Sequence, residues 1–219
     1  MNTSKTDERF YEKKWMNIKD WKNEKGPYLK KTPDIEGEII LEFLKKNLEK
    51  KSKILDIGCG GGRNTILFQK NGFNSTGIDI SENAIKLAKQ LNKENNTNCI
   101  FEKQNILETK YKNEFDTIID IGCFHHLRKN QWNNYRNKIQ ESLKQNGFFI
   151  LYTFSNESEE TFNHKKGKNW SYHNHHYNHY FSKKELEQIF DKKFKLIKFQ
   201  KIEEKGRQLV FNLLFMKKL

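Results

Sequence analysis

Apolar positions along this chain switch repeatedly between a short run and a helical period. Lys53 to Ile57 (KILDI) is an apolar run of strand length, and Gly58-Cys59-Gly60-Gly61-Gly62 breaks it. Arg63 to Lys70 then predicts a helix, closed by Asn71-Gly72. Asn74 to Asp79 predicts a second strand. Ser81 caps a helix carrying Ile85, Leu87, Ala88 and Leu91 on one side. Asn98 to Lys103 and Phe115 to Ile121 predict a third and a fourth strand. A helix follows near Trp132 to Leu143, then Gly147 and a strand from Phe148 to Phe154. Alternation of this kind means right-handed strand–helix–strand units and a parallel sheet covered on both faces.

The two ends read differently. Residues 5–30 are charged, with Phe10, Tyr11, Trp15, Trp21 and Tyr28 among them. Thr32-Pro33 reads as a hydroxyl cap and a first-turn proline, opening a helix with Ile35, Ile39, Ile40, Phe43 and Leu44 on one face. Residues 155–180 show no clear period and hold five of the seven histidines. Ser182 to Glu185 then forms a capping box, flanked by Phe181 and Leu186 as a hydrophobic staple. Two strands finish the chain, about Phe194 to Ile202 and Gln208 to Met216, joined by a polar segment containing Gly206 as a hairpin. No internal repeat and no domain boundary is visible, so 1–219 reads as one domain.

Composition narrows the class. A length of 219 residues suits one α/β domain, and 17 Phe, 8 Tyr and 4 Trp supply core material despite a 35% apolar content. No apolar run approaches the roughly 20 residues needed to cross a bilayer, and Met1 to Phe10 has no apolar leader segment. Cys59, Cys99 and Cys123 are few, odd in number and scattered, which points to a reducing, cytoplasmic compartment. The net charge is +13, yet only five of the 41 basic residues are Arg. Nucleic-acid sites lean on clustered Arg, so dispersed Lys reads first as solvated surface and second as a preference for an anionic partner.

The stretch Asp56-Ile57-Gly58-Cys59-Gly60-Gly61-Gly62 carries the most chemistry. Glycines directly after a strand let a ligand touch the backbone, and the next helix start offers free N–H groups. Asp79 ends the following strand, where an acidic residue can accept from both ribose hydroxyls. A dinucleotide fingerprint starting at Gly58 needs glycine at position 63, but Arg63 stands there. Asp56, two residues before the first glycine, suits a ligand with an ammonium group and repels a pyrophosphate.

On these residues the chain resembles the class I S-adenosylmethionine-dependent methyltransferases. Lys53 to Thr65 (KILDIGCGGGRNT) looks like their first motif and Gly77 to Ser81 (GIDIS) like their second. Gln104-Asn105-Ile106, Phe115 to Asp120 (FDTIID) and Lys144 to Phe148 (KQNGF) match later motifs, so the resemblance covers about residues 53 to 154. It implies a Rossmann-like α/β fold, a mostly parallel seven-stranded sheet with a C-terminal antiparallel strand and helices on both faces. It also divides the domain into an N-terminal helical lid or cap (1–50), a cofactor core (53–154) and a variable acceptor-side segment with the strand pair (155–219). Asp56, Gly58, Cys59, Gly60 and Gly62 are implied to hold the methionine end of S-adenosylmethionine, with Asn64 in the same set. Asp79 is implied to hold the ribose, and Ile80, Asn105 and Ile106 the adenine. Asp120 is implied to lie near the amino-acid end of the cofactor. A finer similarity, carried by GGGRNT and by Ile121 to Leu127 (IGCFHHL), is to the small-molecule branch with tellurite-resistance, thiopurine and thiol methyltransferases.

Methyl transfer is an in-line displacement in which the protein supplies position, exclusion of water and sometimes a base. His125, with Asp120 as the second catalytic candidate, is the first choice for proton removal or acceptor orientation; the alternative is a histidine that packs its loop. Cys123 reads as a nucleophile or metalloid ligand, or as a small buried hydrophobe. The His173 to His179 cluster reads as an acceptor-site lid, an exposed loop or a metal site; no Cys or acidic residue at zinc-finger spacing joins it, and no metal is assigned. Trp15, Trp21 and Tyr28 read either as a lid over the cofactor or as packing. The leading function is methyl transfer to a small-molecule acceptor. A nucleic-acid methyltransferase is less favoured, since Pro-Pro and Pro-Cys signatures are missing, and a non-catalytic cofactor-binding regulator is the third reading.

Overall fold

A computed structural model describes residues 3–16, 35–158, 169–173, 176–204 and 209–219. The expected cap Thr32-Pro33, together with Trp21 and Tyr28, lies outside the described residues. Internal contacts group the chain into two compact units, Met1–Ile106 and Leu107–Leu219.

The first unit contains α1 (Thr3–Met16), α2 (Ile35–Asn47), β1 (Lys53–Ile57), α3 (Arg63–Lys70), β2 (Asn74–Asp79), α4 (Glu82–Glu94) and β3 (Ile100–Lys103). β1 pairs parallel with β2, from Lys53 opposite Asn74 to Ile57 opposite Ile78, and β2 pairs parallel with β3. Strand β1 is buried from Ile54 onward, as a parallel strand covered on both faces must be. Helix α4 begins as the sequence reads it: the Ser81 side chain accepts from the Ala84 N–H at 3.2 Å. Ile85, Ala88 and Leu91 then bury one stripe against Ile66, Cys99 and Phe101.

Two expectations shift here. The third strand starts at Ile100 rather than Asn98. In α2 the buried stripe is Gly37, Ile40, Leu41 and Leu44, and Ile35 is 65% exposed. Ile35 stands two residues before Gly37, which places it on the opposite side of the helix. The first part of the charged N-terminal stretch forms α1.

The second unit contains β4 (Phe115–Ile121), α5 (Trp132–Ser142), β5 (Leu143–Phe154), β6 (Trp170–His173), β7 (His176–His179), α6 (Lys183–Phe190), β8 (Phe194–Glu204) and β9 (Leu209–Lys218). β4 and β5 are parallel, while β9 runs antiparallel to both β5 and β8. The capping box forms, with the Ser182 side chain accepting from the Glu185 N–H at 3.1 Å, and Phe181 and Leu186 are both buried. The fifth strand is longer than expected. It starts at Leu143, and the register against β4 shifts between Phe115 and Thr117, with Asn146 in the left-handed region at φ 63°. Gly147, expected to precede the strand, lies inside it. Part of the stretch read as aperiodic also pairs: β6 and β7 form a two-stranded antiparallel hairpin with Trp170 opposite His179.

The seven-stranded sheet has the order β3-β2-β1-β4-β5-β9-β8, mostly parallel with a C-terminal antiparallel strand. This is the expected Rossmann-like α/β fold. Among the described residues no helix is long and apolar enough to cross a membrane.

Candidate active site

The glycine loop leaves the carboxyl end of β1 and is tied to the end of β2. The Gly58 and Cys59 amides both donate to the Ile78 carbonyl, at 2.8 and 3.0 Å. The Gly60 amide donates to Asp79 Oδ2 at 3.0 Å, and the Ser81 amide donates to Asp79 Oδ1 at 2.9 Å. The carboxylate is thus fixed by backbone on both sides.

Two glycines are irreplaceable for different reasons. Gly60 sits at φ +53°, and a Cβ there would come within 2.9 Å of the Trp15 indole. Gly62 sits at φ +82° as the cap of α3, and a Cβ there would meet Phe101 at 2.7 Å and Ala88 at 3.0 Å. Gly60 therefore lets the Trp15 indole lie against the loop backbone, whereas Gly62 allows helix and sheet to approach.

The remaining candidates of this unit divide by surroundings. Asp56 is buried and accepts from Thr65 Oγ1 at 2.6 Å, which braces the first turn of α3. The Cys59 thiol lies 2.9 Å from where a Cβ on Gly77 would stand and packs against the Ile66–Phe101 cluster. Burial, then the Asp79 and Asp56 charges, push its pKa well up, so it stays a thiol. Ile80 and Asn105 are half-buried and Ile106 is buried. Asp79 is 8% exposed; burial holds its carboxyl above the ordinary range, partly offset by the Ser81 and Gly60 amides.

Two buried acceptors of this unit lack a partner among the described residues: Asn64 Oδ1 in the first turn of α3 and Gln104 Oε1 after β3. Orphaned buried acceptors are uncommon and call for a donor. An ammonium group and an exocyclic amine are such donors, so these positions fit a ligand carrying both.

In the second unit, Asp120 ends the buried part of β4 and is fully buried. Oδ1 accepts from the Cys123 and Phe124 amides at 2.8 and 3.3 Å, and Oδ2 accepts from the Tyr135 hydroxyl at 2.5 Å. Burial raises its pKa to about 6, with the three hydrogen bonds opposing. His125 is 3% exposed; its Nδ1 lies 3.3 Å from Thr153 Oγ1, and its ring packs on Phe154 at 4.0 Å. His126 faces the β7 strand, Nδ1 to the Tyr177 carbonyl at 3.4 Å.

Of the histidine-rich stretch, His179 is buried, with Nε2 2.9 Å from Glu185 Oε1, between Trp132 and Trp170. Among the described residues no three His, Cys, Asp or Glu side chains are placed to hold a metal ion. Sequence reasoning missed Tyr135 as the partner of Asp120, and Glu12 at the start of α4. The period of α5, which buries Trp132, Tyr135 and Ile139, marks Tyr135 as inward but cannot name its partner.

A protein family described as a methyltransferase domain matches residues 28–194. The chain belongs to this methyltransferase family. Its fold and its glycine-loop motifs are those of the class I, S-adenosylmethionine-dependent members. A methyltransferase of unassigned activity from Schizosaccharomyces pombe is 30% identical over 115 residues, covering 52% of this chain and 79% of that protein. The ubiquinone biosynthesis O-methyltransferase of Rickettsia akari is 29% identical over 141 residues, 62% of this chain and 55% of that enzyme. In fold, the methyltransferase resembles the 1,6-didemethyltoxoflavin N1-methyltransferase of Burkholderia thailandensis, solved with its acceptor and S-adenosylhomocysteine. That likeness has a TM-score of 0.77 at 19% identity and covers 99% of this chain and 88% of the other.

Proposed function

We propose that this methyltransferase moves the methyl group of S-adenosylmethionine onto a small-molecule acceptor by in-line displacement. The observation that carries the cofactor half is the joint fixing of the glycine loop and the Asp79 carboxylate through the Gly60 and Ser81 amides, together with two buried acceptors of the same unit that lack a partner among the described residues. When bound, the cofactor supplies an activated methyl group on a sulfonium. Asp79 accepts from the ribose hydroxyls. Gly58 to Gly62 and Asn64 take the methionine end, with Asp56 behind them, and Ile80, Asn105 and Ile106 flank the adenine. The small-molecule acceptor is supported by the O- and N-methyltransferases to which the chain is similar.

On the acceptor side, Asp120 holds the turn that follows β4 by its two amide contacts, and so positions His125. His125 removes the acceptor proton or orients the acceptor. The buried ring and its Thr153 contact suit a residue that must hold one orientation. A reducing cytoplasm suits its three free cysteines.

The test is incubation with radiolabelled S-adenosylmethionine and a panel of thiols, amines, phenols and metalloid oxyanions. Label transfer to one class is expected. Binding of NADH, with no response to S-adenosylhomocysteine in calorimetry, overturns the reading. If His125 takes the proton, His125→Ala slows single turnover by about 10²–10⁴-fold and leaves cofactor affinity near wild type. An unaltered rate assigns the work to proximity alone.

A further inference from the structure

We propose that helix α1 is part of the cofactor site, with Trp15 forming a wall against the glycine loop and Glu12 positioning the Asp79 carboxylate. The inference rests on the cofactor reading above and extends it to residues outside every motif that reading used.

A closed circuit of contacts supports it. Glu12 Oε2 accepts from Ser81 Oγ at 2.7 Å, and Glu12 Oε1 accepts from Asn83 Nδ2 at 2.8 Å. The Ser81 amide donates to Asp79 Oδ1, and the Gly60 amide donates to Asp79 Oδ2. Gly60, without a side chain, meets the indole of Trp15, which is 8% exposed. Trp15 stands three residues after Glu12, on the same face of α1, so the circuit returns to the helix where it began. One face of one helix thereby grips both ends of the Asp79 network. An outer pair, Glu8 with Lys103 at 2.8 Å, adds an exposed tether.

Simple packing does not explain the chemistry of this face. A helix that only covers apolar surface has no need of a carboxylate beside a buried carboxylate, because like charges there raise each other's proton affinity. Glu12 does push Asp79 in that direction. Lys14 on the same helix counters it: its ammonium feels Asp79, while burial lowers its own pKa to about 8. The groups facing Asp79 are therefore Glu12 and Lys14 from α1 and the neutral Cys59 thiol from the loop. The two α1 charges thus act on Asp79 in opposite directions, Glu12 raising its proton affinity and Lys14 lowering it.

The test uses the full chain and S-adenosylhomocysteine in calorimetry from pH 5 to 8, with amide exchange of the protein alone. Glu12→Gln is expected to weaken binding about tenfold at pH 8, since one charged acceptor is lost. It also moves the acid fall in affinity to lower pH, because a like charge near Asp79 is gone, and it speeds exchange at the Ser81 and Gly60 amides. Trp15→Ala weakens binding by a similar factor and Trp15→Phe restores most of it. Glu8→Gln, in the exposed tether, stays within about twofold, as exposed pairs contribute little. Affinities within twofold of wild type for both Glu12→Gln and Trp15→Ala overturn the proposal. So does a weaker Glu12→Gln with an unmoved pH profile and exchange raised evenly over the whole unit, which is plain destabilisation. Failure of the unaltered protein to bind the probe overturns the cofactor reading itself; localised exchange at Ser81 and Gly60 still reports whether Glu12 holds Asp79.

Discussion

Two carboxylates end buried strands in the two units, and they are wired for different ends. Asp79 at the end of β2 accepts from the Gly60 and Ser81 amides, one on each oxygen. Asp120 near the end of β4 accepts from two amides of the turn that follows it, and its other oxygen takes the phenol of Tyr135. Both are buried and both have raised pKa values for that reason. The difference is the third donor. Asp120 is closed by a side chain inside its own unit and has no exposed surface. Among the described residues the Asp79 side chain accepts from two backbone amides, and two acceptors of the same unit, Asn64 Oδ1 and Gln104 Oε1, are buried without a partner. The same residue type at the end of the same kind of strand is thus closed by a side chain in one place and tied to two backbone amides in the other.

The largest expected effect separates the two roles by stability. Asp120→Ala orphans two buried amides and a buried phenol, each worth about 1–3 kcal/mol. Loss of the charge's burial cost offsets part of this, so chemical denaturation should show a loss of about 3–4 kcal/mol. A loss below about 1 kcal/mol would put Asp120 in the ligand class with Asp79.

The next effect is a pH dependence. Asp120 has a folded pKa of about 6, above the unfolded value. Between roughly pH 4 and 6 the folded chain therefore holds a proton that the unfolded chain has released. Its contribution to stability is complete below about pH 4 and is lost as pH rises through 6, a change on the order of 2–3 kcal/mol. Asp120→Asn, which cannot titrate, should flatten that part of the stability–pH curve. An identical curve in both proteins would show that another group sets it.

Asp79→Ala should do the reverse of Asp120→Ala. Two ribose hydroxyls lose a charged acceptor, so S-adenosylhomocysteine binding weakens by about 1.5–3 kcal/mol, read by calorimetry. The chain should still fold. An unchanged dissociation constant removes the ribose role from Asp79.

How much of this was legible differs along the same lines. The glycine loop, β2 and Asp79 form one contiguous strand–turn–helix–strand unit, so their spacing in sequence is nearly their spacing in space. Strand and helix bounds there need only small shifts. The Asp120–Tyr135 bond joins a strand to the following helix across 15 positions, and periodicity says only that Tyr135 points inward. Glu12 meets Ser81 across 69 positions, from a stretch too polar to show a clear apolar face. The extension of β5 back to Leu143 was hidden because Gly147 looks like a turn. In the fold a Cβ at that glycine would come within 3.0 Å of the Asp116 carbonyl, a close-approach requirement inside a paired strand.

The smallest effect sharpens the comparison at one atom. Tyr135→Phe keeps the ring that packs 4.8 Å from Phe124 and removes only the hydroxyl that Asp120 Oδ2 accepts from. The phenol's own pKa is raised well above its ordinary value by burial, so it is a donor throughout the accessible range. Its hydrogen bond favours the ionised carboxyl and holds the Asp120 pKa down against desolvation. Without it the folded pKa climbs further, and the loss of stability falls on the alkaline side. The expected cost is about 1 kcal/mol at pH 7–8 and nearly nothing at pH 4, where Asp120 is protonated in both proteins. Equal losses at both pH values would mean that the hydroxyl matters to the neutral acid as well. The Asp120 site would then hold its proton donor in either charge state, which a carboxylate kept for a ligand has no reason to do.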